Sequence, residues 1–248
     1  MKSLIFISYI ILSLGAFAQF NTELIIDSNI ISPMDIKTAD INNDGFLDIV
    51  LAERKYPDRK LIYYTNDGNG SFSNKNILLD SLYDIGFVEL GDLDGNGYVD
   101  ILSSDGSTLL WLPNNGGVFD TARFFQQSNL PGIDNIVFSG DNAIQIADMD
   151  NDGNLDIFCM AGWNTLWGGM LIGIKQIIIY TNDGLGNFTL NFTGQDLSEN
   201  HSASLADITG NGFKDVVISS DRGSYIFTNH NGVLSYDSLR TYYLSNLH

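Results

Sequence analysis

Cysteine is almost absent from this chain of 248 residues. Cys159 stands alone, so no intrachain disulfide forms, and stability has to come from packing and from bound groups. Basic residues are scarce too, 12 Lys and Arg against 30 Asp and Glu, for a net charge of −18. So acidic a chain is a poor match to nucleic acid or anionic lipid, both of which need clustered cations. Histidine occurs three times, at His201, His230 and His248. No zinc spacing, catalytic triad or glycine-rich phosphate loop accompanies them, which points away from an enzyme. Four prolines and no low-complexity tract argue against disorder. Helical periodicity of useful length is missing, and beyond the first 18 residues no apolar run is long enough to cross a membrane.

What is present begins at the N-terminus. Lys2, an apolar run over residues 4–14 and Ala16-Phe17-Ala18 ahead of Gln19 have the layout of a secretory signal peptide with a small-x-small cleavage site. The apolar run is nearer signal length than the roughly 20 residues of a membrane span. Residues 1–18 are therefore expected to be removed, leaving 19–248 as a secreted or cell-surface protein without membrane insertion.

The most informative stretch is Asp148-Met-Asp150-Asn-Asp152-Gly153-Asn-Leu-Asp156, followed at once by Ile157-Phe158-Cys159-Met160. Alternate carboxylates let a tightly curled loop aim several oxygens at one point, and the glycine permits the sharp turn. Hard oxygen ligands in this pattern suit Ca²⁺, which takes six to eight oxygens at about 2.3 to 2.6 Å. The pattern recurs as Asp40-Ile-Asn42-Asn-Asp44-Gly45-Phe46-Leu-Asp48, Asp92-Leu-Asp94-Gly-Asn96-Gly97-Tyr98-Val-Asp100 and Asp207-Ile-Thr209-Gly-Asn211-Gly212-Phe213-Lys-Asp215. First positions are separated by 52, 56 and 59 residues, and 12 of the 30 acidic residues lie in the four loops. Bound cations would relieve much of their mutual repulsion.

An EF-hand shares the opening Asp-x-Asp-x-Asp-Gly but needs an acidic residue at position 12 and flanking helices. Position 12 here is Leu51, Ser103, Cys159 and Ile218, and β-branched apolar runs follow, so that reading fails. The ninth-position carboxylate closes each loop instead. The expected ligand sets are Asp40, Asn42, Asp44 and Asp48; Asp92, Asp94, Asn96 and Asp100; Asp148, Asp150, Asp152 and Asp156; and Asp207, Thr209, Asn211 and Asp215. The seventh residue, Phe46, Tyr98, Asn154 or Phe213, adds its backbone carbonyl. Ligand charge ranks the third loop first, the first and second next and the fourth last. The competing reading is a turn held by Asx hydrogen bonds without metal.

A four-part unit repeats around these loops. A lead-in strand (36–39, 87–90, 143–147, 202–206) enters the loop and a second strand leaves it. A third strand ends in an Asn- and Gly-containing turn at Asn66, Asn114, Asn182 and Asn229, residues that favour hairpin conformations. A fourth strand starts near Phe72, Phe119, Phe188 and Leu234. Tandem four-stranded antiparallel units of roughly 50 to 60 residues describe an all-β propeller, with blades at about 34–80, 84–128, 140–196 and 200–240.

With its four Asp-x-(Asp/Asn/Thr)-x-(Asp/Asn)-Gly-x-x-Asp loops and its Asn-Asp-Gly-x-Gly-x-Phe turns at Asn66 and Asn182, the chain resembles the FG-GAP or VCBS repeats of integrin alpha N-terminal propellers and related secreted bacterial proteins. The resemblance implies calcium ions, up to four here, that brace the lower face, and ligands on the upper face. It also implies seven blades in a closed ring, whereas four are visible. Residues 20–27 look like a spare fourth strand without its own blade. This leaves three expectations: a share in a larger propeller, a different closure, or self-association. The run to His248 after Asn231 carries no recognisable anchoring domain and reads as the end of a truncated gene product.

Two expected upper-face loops stand out. Trp163, Asn164, Thr165 and Trp167 form an insertion that would stack on and hydrogen-bond a sugar, although aromatic residues are more often buried. Arg54, Tyr56 and Arg59 make a basic, aromatic spot that would meet an anionic ligand. The leading expectation is an extracellular recognition or adhesion module for a protein or polysaccharide. The alternatives are a lectin-like carbohydrate binder and a non-catalytic fragment of a larger polysaccharide-degrading or surface protein. Some polysaccharide lyases carry such propellers, but no residue set here supplies that chemistry.

Overall fold

Each acidic loop runs into an apolar stretch, and each such stretch is a strand, buried on both faces in blades one to three and on one face in blade four. The computed structural model describes residues 25–72, 74–106, 108–125, 137–138, 144–167, 170–193, 200–220 and 223–236. The expected signal peptide, residues 1–18, lies outside them. Blade one comprises β1 (Pro33–Ala39), β2 (Asp48–Glu53), β3 (Arg59–Thr65) and β4 (Asn74–Leu82). Blade two comprises β5 (Val88–Gly91), β6 (Asp100–Asp105), β7 (Thr108–Leu112) and β8 (Arg123–Phe125), and a short β9 (Val137–Phe138) follows. Blade three is β10 (Ile144–Ala147), β11 (Asp156–Trp167), β12 (Met170–Asn182) and β13 (Phe188–Thr193). Blade four is β14 (Asn200–Ala206), β15 (Asp215–Ser220), β16 (Gly223–His230) and β17 (Val233–Tyr236).

Every blade is an antiparallel sheet in sequence order, β1-β2-β3-β4 and its three counterparts, with β9 pairing onto β11. This is the all-β blade architecture of a propeller.

Strand alternation explains how the sheets stack. Successive side chains leave a strand on opposite faces, so a strand between two neighbouring sheets must be apolar throughout. In β11, Ile157 and Cys159 join Leu102, Leu109 and Trp111 of blade two. The intervening Phe158 and Met160 join Val216, Ile218 and Phe227 of blade four. In β2, Val50 and Ala52 pack with Ile101, Leu110 and Leu112 of blade two. Ile49 and Leu51 point the other way, where Ile62, Tyr64, Phe72 and Ile30 meet them. Burying one such side chain stabilises the fold by about 1.5 to 3 kcal/mol. The thiol of Cys159 sits fully buried in this core, and burial pushes its pKa up, so it behaves as a small apolar group.

Three expectations change. Of the expected loop 161–169, residues 161–167 are strand: β11 runs on to Trp167, and the register Trp163↔Ile174, Asn164↔Gly173 and Trp167↔Met170 makes an extended hairpin with β12. Backbone pairing over that length supplies hydrogen-bond partners that a loop would have to find elsewhere. The fourth strand of blade two begins at Arg123 rather than near Phe119. Phe119 makes only an isolated bridge to Asn114, because its ring turns inward to meet Tyr63 edge-on at 5.8 Å. Of the suspected spare strand, only residues 25–27 are described, and they are not in a strand. Asp27 instead ties this segment to blade one, accepting from Tyr64 Oη at 2.8 Å and Lys75 Nζ at 2.8 Å.

Candidate functional site

The acidic loops join β1 to β2, β5 to β6, β10 to β11 and β14 to β15, at the same end of each blade as the turns that join its third and fourth strands. The sixth-position glycines Gly45, Gly97, Gly153 and Gly212 have φ between 87° and 93°, a region costly for residues with a Cβ. The fourth position is also left-handed, and is filled by Asn43, Gly95, Asn151 and Gly210, the residue types that tolerate it. The first carboxylate then caps the curl. Asp40 accepts from Asp44 N and Gly45 N, and Asp92 from Asn96 N and Gly97 N. Asp148 accepts from Gly153 N, and Asp207 from Gly210, Asn211 and Gly212 N. Phe46, Tyr98, Asn154 and Phe213 each donate N–H to the fifth-position side chain.

The closing aspartates are fully buried and fasten two segments at once. Asp48 accepts from Ile41 N and Asn66 N, Asp100 from Leu93 N and Asn114 N, Asp156 from Met149 N and Asn182 N, and Asp215 from Ile208 N and Asn229 N. Each bond couples the loop to the turn beside it. Burial pushes Asp100 and Asp156 up to about 6, against the pull of these N–H donors. Burial also raises Asp215, but there the N–H groups of Asn229, Thr209 and Ile208 outweigh it and the pKa ends lowered.

The loops gather their carboxylates unequally. Asp148, Asp150 and Asp152 converge, as do Asp92, Asp94 and Asp100, with one oxygen from each lying within 4.8 Å of the others. Asp156 is outside the first of these groups. In the first loop Asn42 Nδ2 donates to Asp44 at 2.9 Å. In the fourth, Thr209 and Asn211 stand where the third loop has carboxylates.

One atom speaks for a cation. Asp148 Oδ1 is buried and has no hydrogen-bond partner. A buried carboxylate oxygen beside two further carboxylates is costly unless a positive charge faces it. Asp150 shows the strain, its pKa raised by burial and then by Asp152. The oxygen-only donors suit a hard divalent ion such as Ca²⁺.

A turn residue that looks merely conformational turns out to join the blades. Asn114 Nδ2 donates to Ile41 O of blade one at 2.7 Å, Asn182 Nδ2 to Leu93 O of blade two at 2.8 Å, and Asn229 Nδ2 to Met149 O of blade three at 2.7 Å. Each also donates to its own loop, at Val99, Leu155 and Lys214 O. The recurrence of Asn after every third strand was the available signal, but nothing in the sequence says that the amide crosses to the preceding blade.

The opposite end carries the β2–β3 connection and the β11–β12 extension. Arg54 clasps Asp84 with Nε 2.7 Å from Oδ1 and Nη2 2.9 Å from Oδ2, and Arg59 Nε lies 3.8 Å from the same carboxylate. Two cations share one anion, next to Tyr56, which is 82% exposed with the Arg59 guanidinium 5.8 Å from its ring centre. Trp163, Asn164 and Trp167 are on the hairpin at the same end, and their side chains lie outside the described residues. At the rim between blades one and two, a groove of about 870 Å³ is lined by Asn42, Tyr63, Asn76, Phe119, Asp120 and Phe124.

Residues 40–103 and 92–159 each match the FG-GAP-like repeat. No curated protein sequence matches the chain. Among solved structures, a lectin from Agrocybe aegerita, described by its specific recognition of non-reducing terminal N-acetylglucosamine, is similar over 80% of this chain at 20% identity, with a TM-score of 0.52. The Photorhabdus luminescens Tc holotoxin pore is similar over 75% at 17% identity, with a TM-score of 0.43. The chain spans 49% of the lectin chain and 8% of the toxin chain. At this identity the lectin likeness speaks for the fold.

Proposed function

The chain carries FG-GAP-like repeats, and from that premise we propose that it is an exported, calcium-stabilised recognition module that binds an extracellular polysaccharide or protein. The acidic loops brace the blades, and the ligand meets the opposite end. The observation that carries this reading is the division of labour between the two ends. At the loop end the carboxylates are occupied in holding loops and turns. At the other, Tyr56 is exposed beside Arg54 and Arg59 in a protein that is otherwise strongly acidic. Two guanidiniums beside an exposed aromatic ring offer hydrogen-bond donors and a stacking face suited to an acidic sugar or a carboxylate-bearing protein surface.

Asp92, Asp94 and Asp100 would hold one ion and Asp148, Asp150 and Asp152 another. Calcium would neutralise the clustered charge and take up the open Asp148 oxygen. The sequence layout of residues 1–18 supports export, where millimolar calcium makes even weak sites useful.

A second reading, a lectin-like site on the β11–β12 extension, is favoured by the placement of Trp163, Asn164 and Trp167 on a paired hairpin beyond the body of the blade. The fold-level likeness to a lectin makes terminal N-acetylglucosamine a sensible first probe. A glycan array in millimolar calcium, with a chelator-treated sample beside it, tests both. Binding to acidic glycans that is lost in Arg54→Ala and Tyr56→Ala supports the first reading. Binding lost only in the Trp163→Ala, Trp167→Ala double variant supports the second. Silence from folded protein leaves a protein partner as the ligand.

A further inference from the structure

Three joints within the chain follow one pattern, and each uses two complementary faces. The earlier blade offers the second residue of its acidic loop, its carbonyl accepting from the later blade's turn asparagine and its side chain fully buried: Ile41, Leu93 and Met149 are all 0% exposed. It also offers the third loop residue. A Cβ on the later blade's turn glycine would press on that residue: Gly117 against Asn42, Gly186 against Asp94, Gly232 against Asp150. The later blade adds a large apolar residue after the turn. Phe119 packs on Tyr63 and Phe188 on Trp111, and Leu234 enters the cluster that holds Ile179.

Both faces are also present, unjoined, at the two ends of the stack. On blade four the second loop residue, Ile208, is 44% exposed where its three counterparts are buried, and no described side chain donates to its carbonyl. On blade one, Asn66 Nδ2 donates to its own loop at Leu47 O, while the crossing bond made by Asn114, Asn182 and Asn229 has no counterpart among the described residues. A Cβ on Gly70, the equivalent of Gly117, Gly186 and Gly232, would meet nothing within 4 Å. The sheet face beside it carries the cross-strand row Ile36, Leu51, Ile62 and Ile77. Its outer members are 57% and 51% exposed, while Ile30 and Phe72 cover Leu51 and Ile62 between them. No hydrophobic cluster among the described residues joins blade four to blade one.

We propose that these are the two halves of a fourth joint, made between copies: the blade-four face of one chain docks head-to-tail on the blade-one face of a second copy. Ile208 enters beside the exposed Ile36, its carbonyl accepts from the second copy's Asn66 Nδ2, and Thr209 rests on Gly70. The occupant is a second copy because this chain itself supplies the matching half, and the contact continues an interface already built three times within it. Such a heterologous contact uses different surfaces on the two partners.

The test is sedimentation velocity of the exported chain in calcium over a concentration series reaching about 100 μM, a hundredfold above a micromolar Kd. The wild type is expected to associate. Ile208→Asp and Ile36→Lys, each altering one exposed half, are expected to sediment as monomers with unchanged circular dichroism. Mixing the two variants restores a one-to-one dimer, since one keeps the blade-one face and the other the blade-four face. A wild type that stays monomeric throughout, association that survives both substitutions, or failure of the mixture to pair overturns the proposal. A monomer would mean that these faces are met from within the same protein.

Discussion

The side-chain amide of Asn182 donates to the backbone carbonyl of Leu93, 89 residues earlier, at 2.8 Å and nearly out of reach of water. One turn residue thereby fixes the spacing of two blades while its backbone N–H holds Asp156. Buried amides of this kind are structural commitments, because an unmet carbonyl away from water costs about 1 to 3 kcal/mol.

Asn114→Ala is therefore expected to lower stability by about 2 to 4 kcal/mol, since it strips the carbonyls of Ile41 and Val99 of their donor and Gly117 N of its acceptor. Asn66→Ala, whose amide donates to Leu47 O and accepts from Gly68 N, both bonds exposed to water, is expected to cost about 1 kcal/mol. Urea unfolding of both variants checks the difference, and equal costs would deny the crossing bond its role.

Calcium is expected to raise the melting temperature of chelator-treated protein, and to raise it more at pH 7 than at pH 5. Asp100 and Asp156 sit near 6 because burial favours their neutral form. Their folded pKa lies above the unfolded value. In the metal-free protein the stability they contribute is thus full at low pH and declines as pH rises from about 4 to about 6. Metal binding needs the ionised loop and strengthens over the same interval. Melting curves with and without calcium at the two pH values test the sign.

The third loop should bind most tightly. Asp150→Asn is expected to remove the strongest calcium transition in isothermal titration, whereas Thr209→Ala should leave it unchanged. The reason lies in charge: Asp150 is one of three convergent carboxylates, and Thr209 is a neutral neighbour of Asp207.

Phe158→Ala would leave a cavity between blades three and four, where Phe158 is fully buried against Met149 and Val216. The expected loss is about 3 to 5 kcal/mol. For a chain of this size that corresponds to a fall of roughly 6 to 20 °C in Tm. A fall of only a few degrees would show that this joint contributes little.

Asp27→Asn tests the N-terminal tether. Hydrogen bonding to Lys75, then to Asn29 N and Tyr64 Oη, holds the Asp27 carboxyl well below the usual range. A depressed carboxylate contributes stability above its unfolded pKa of about 3.9 and loses it as pH falls through the folded value. The variant should be less stable than the wild type by about 1 kcal/mol at pH 7, with the gap closing on acidification. A constant gap from pH 7 to pH 2 would assign the effect to packing instead.

The sequence by itself determined the repeat. Asp at positions one and nine, Gly at six and a β-branched run behind them dictate a curled loop feeding a strand, because only those residues satisfy that backbone and that burial locally. Four copies then dictate four sheets, and strands apolar throughout, such as Ile157-Phe158-Cys159-Met160, require a neighbour on each face. The tertiary structure alone decided what crosses between blades. Asn114 and Asn66 follow the same strand and open the same kind of turn, yet one is buried by a preceding blade and the other is not. Likewise Ile41 and Ile208 occupy one loop position, and only the packing of a following blade separates 0% from 44% exposure. The extension of β11 to Trp167 was equally out of local reach, since its backbone is satisfied by β12 and β9 and not by any pattern in its own residues. Local chemistry fixes loops and strands, whereas burial and hydrogen bonding across 50 to 90 residues depend on which surface arrives opposite.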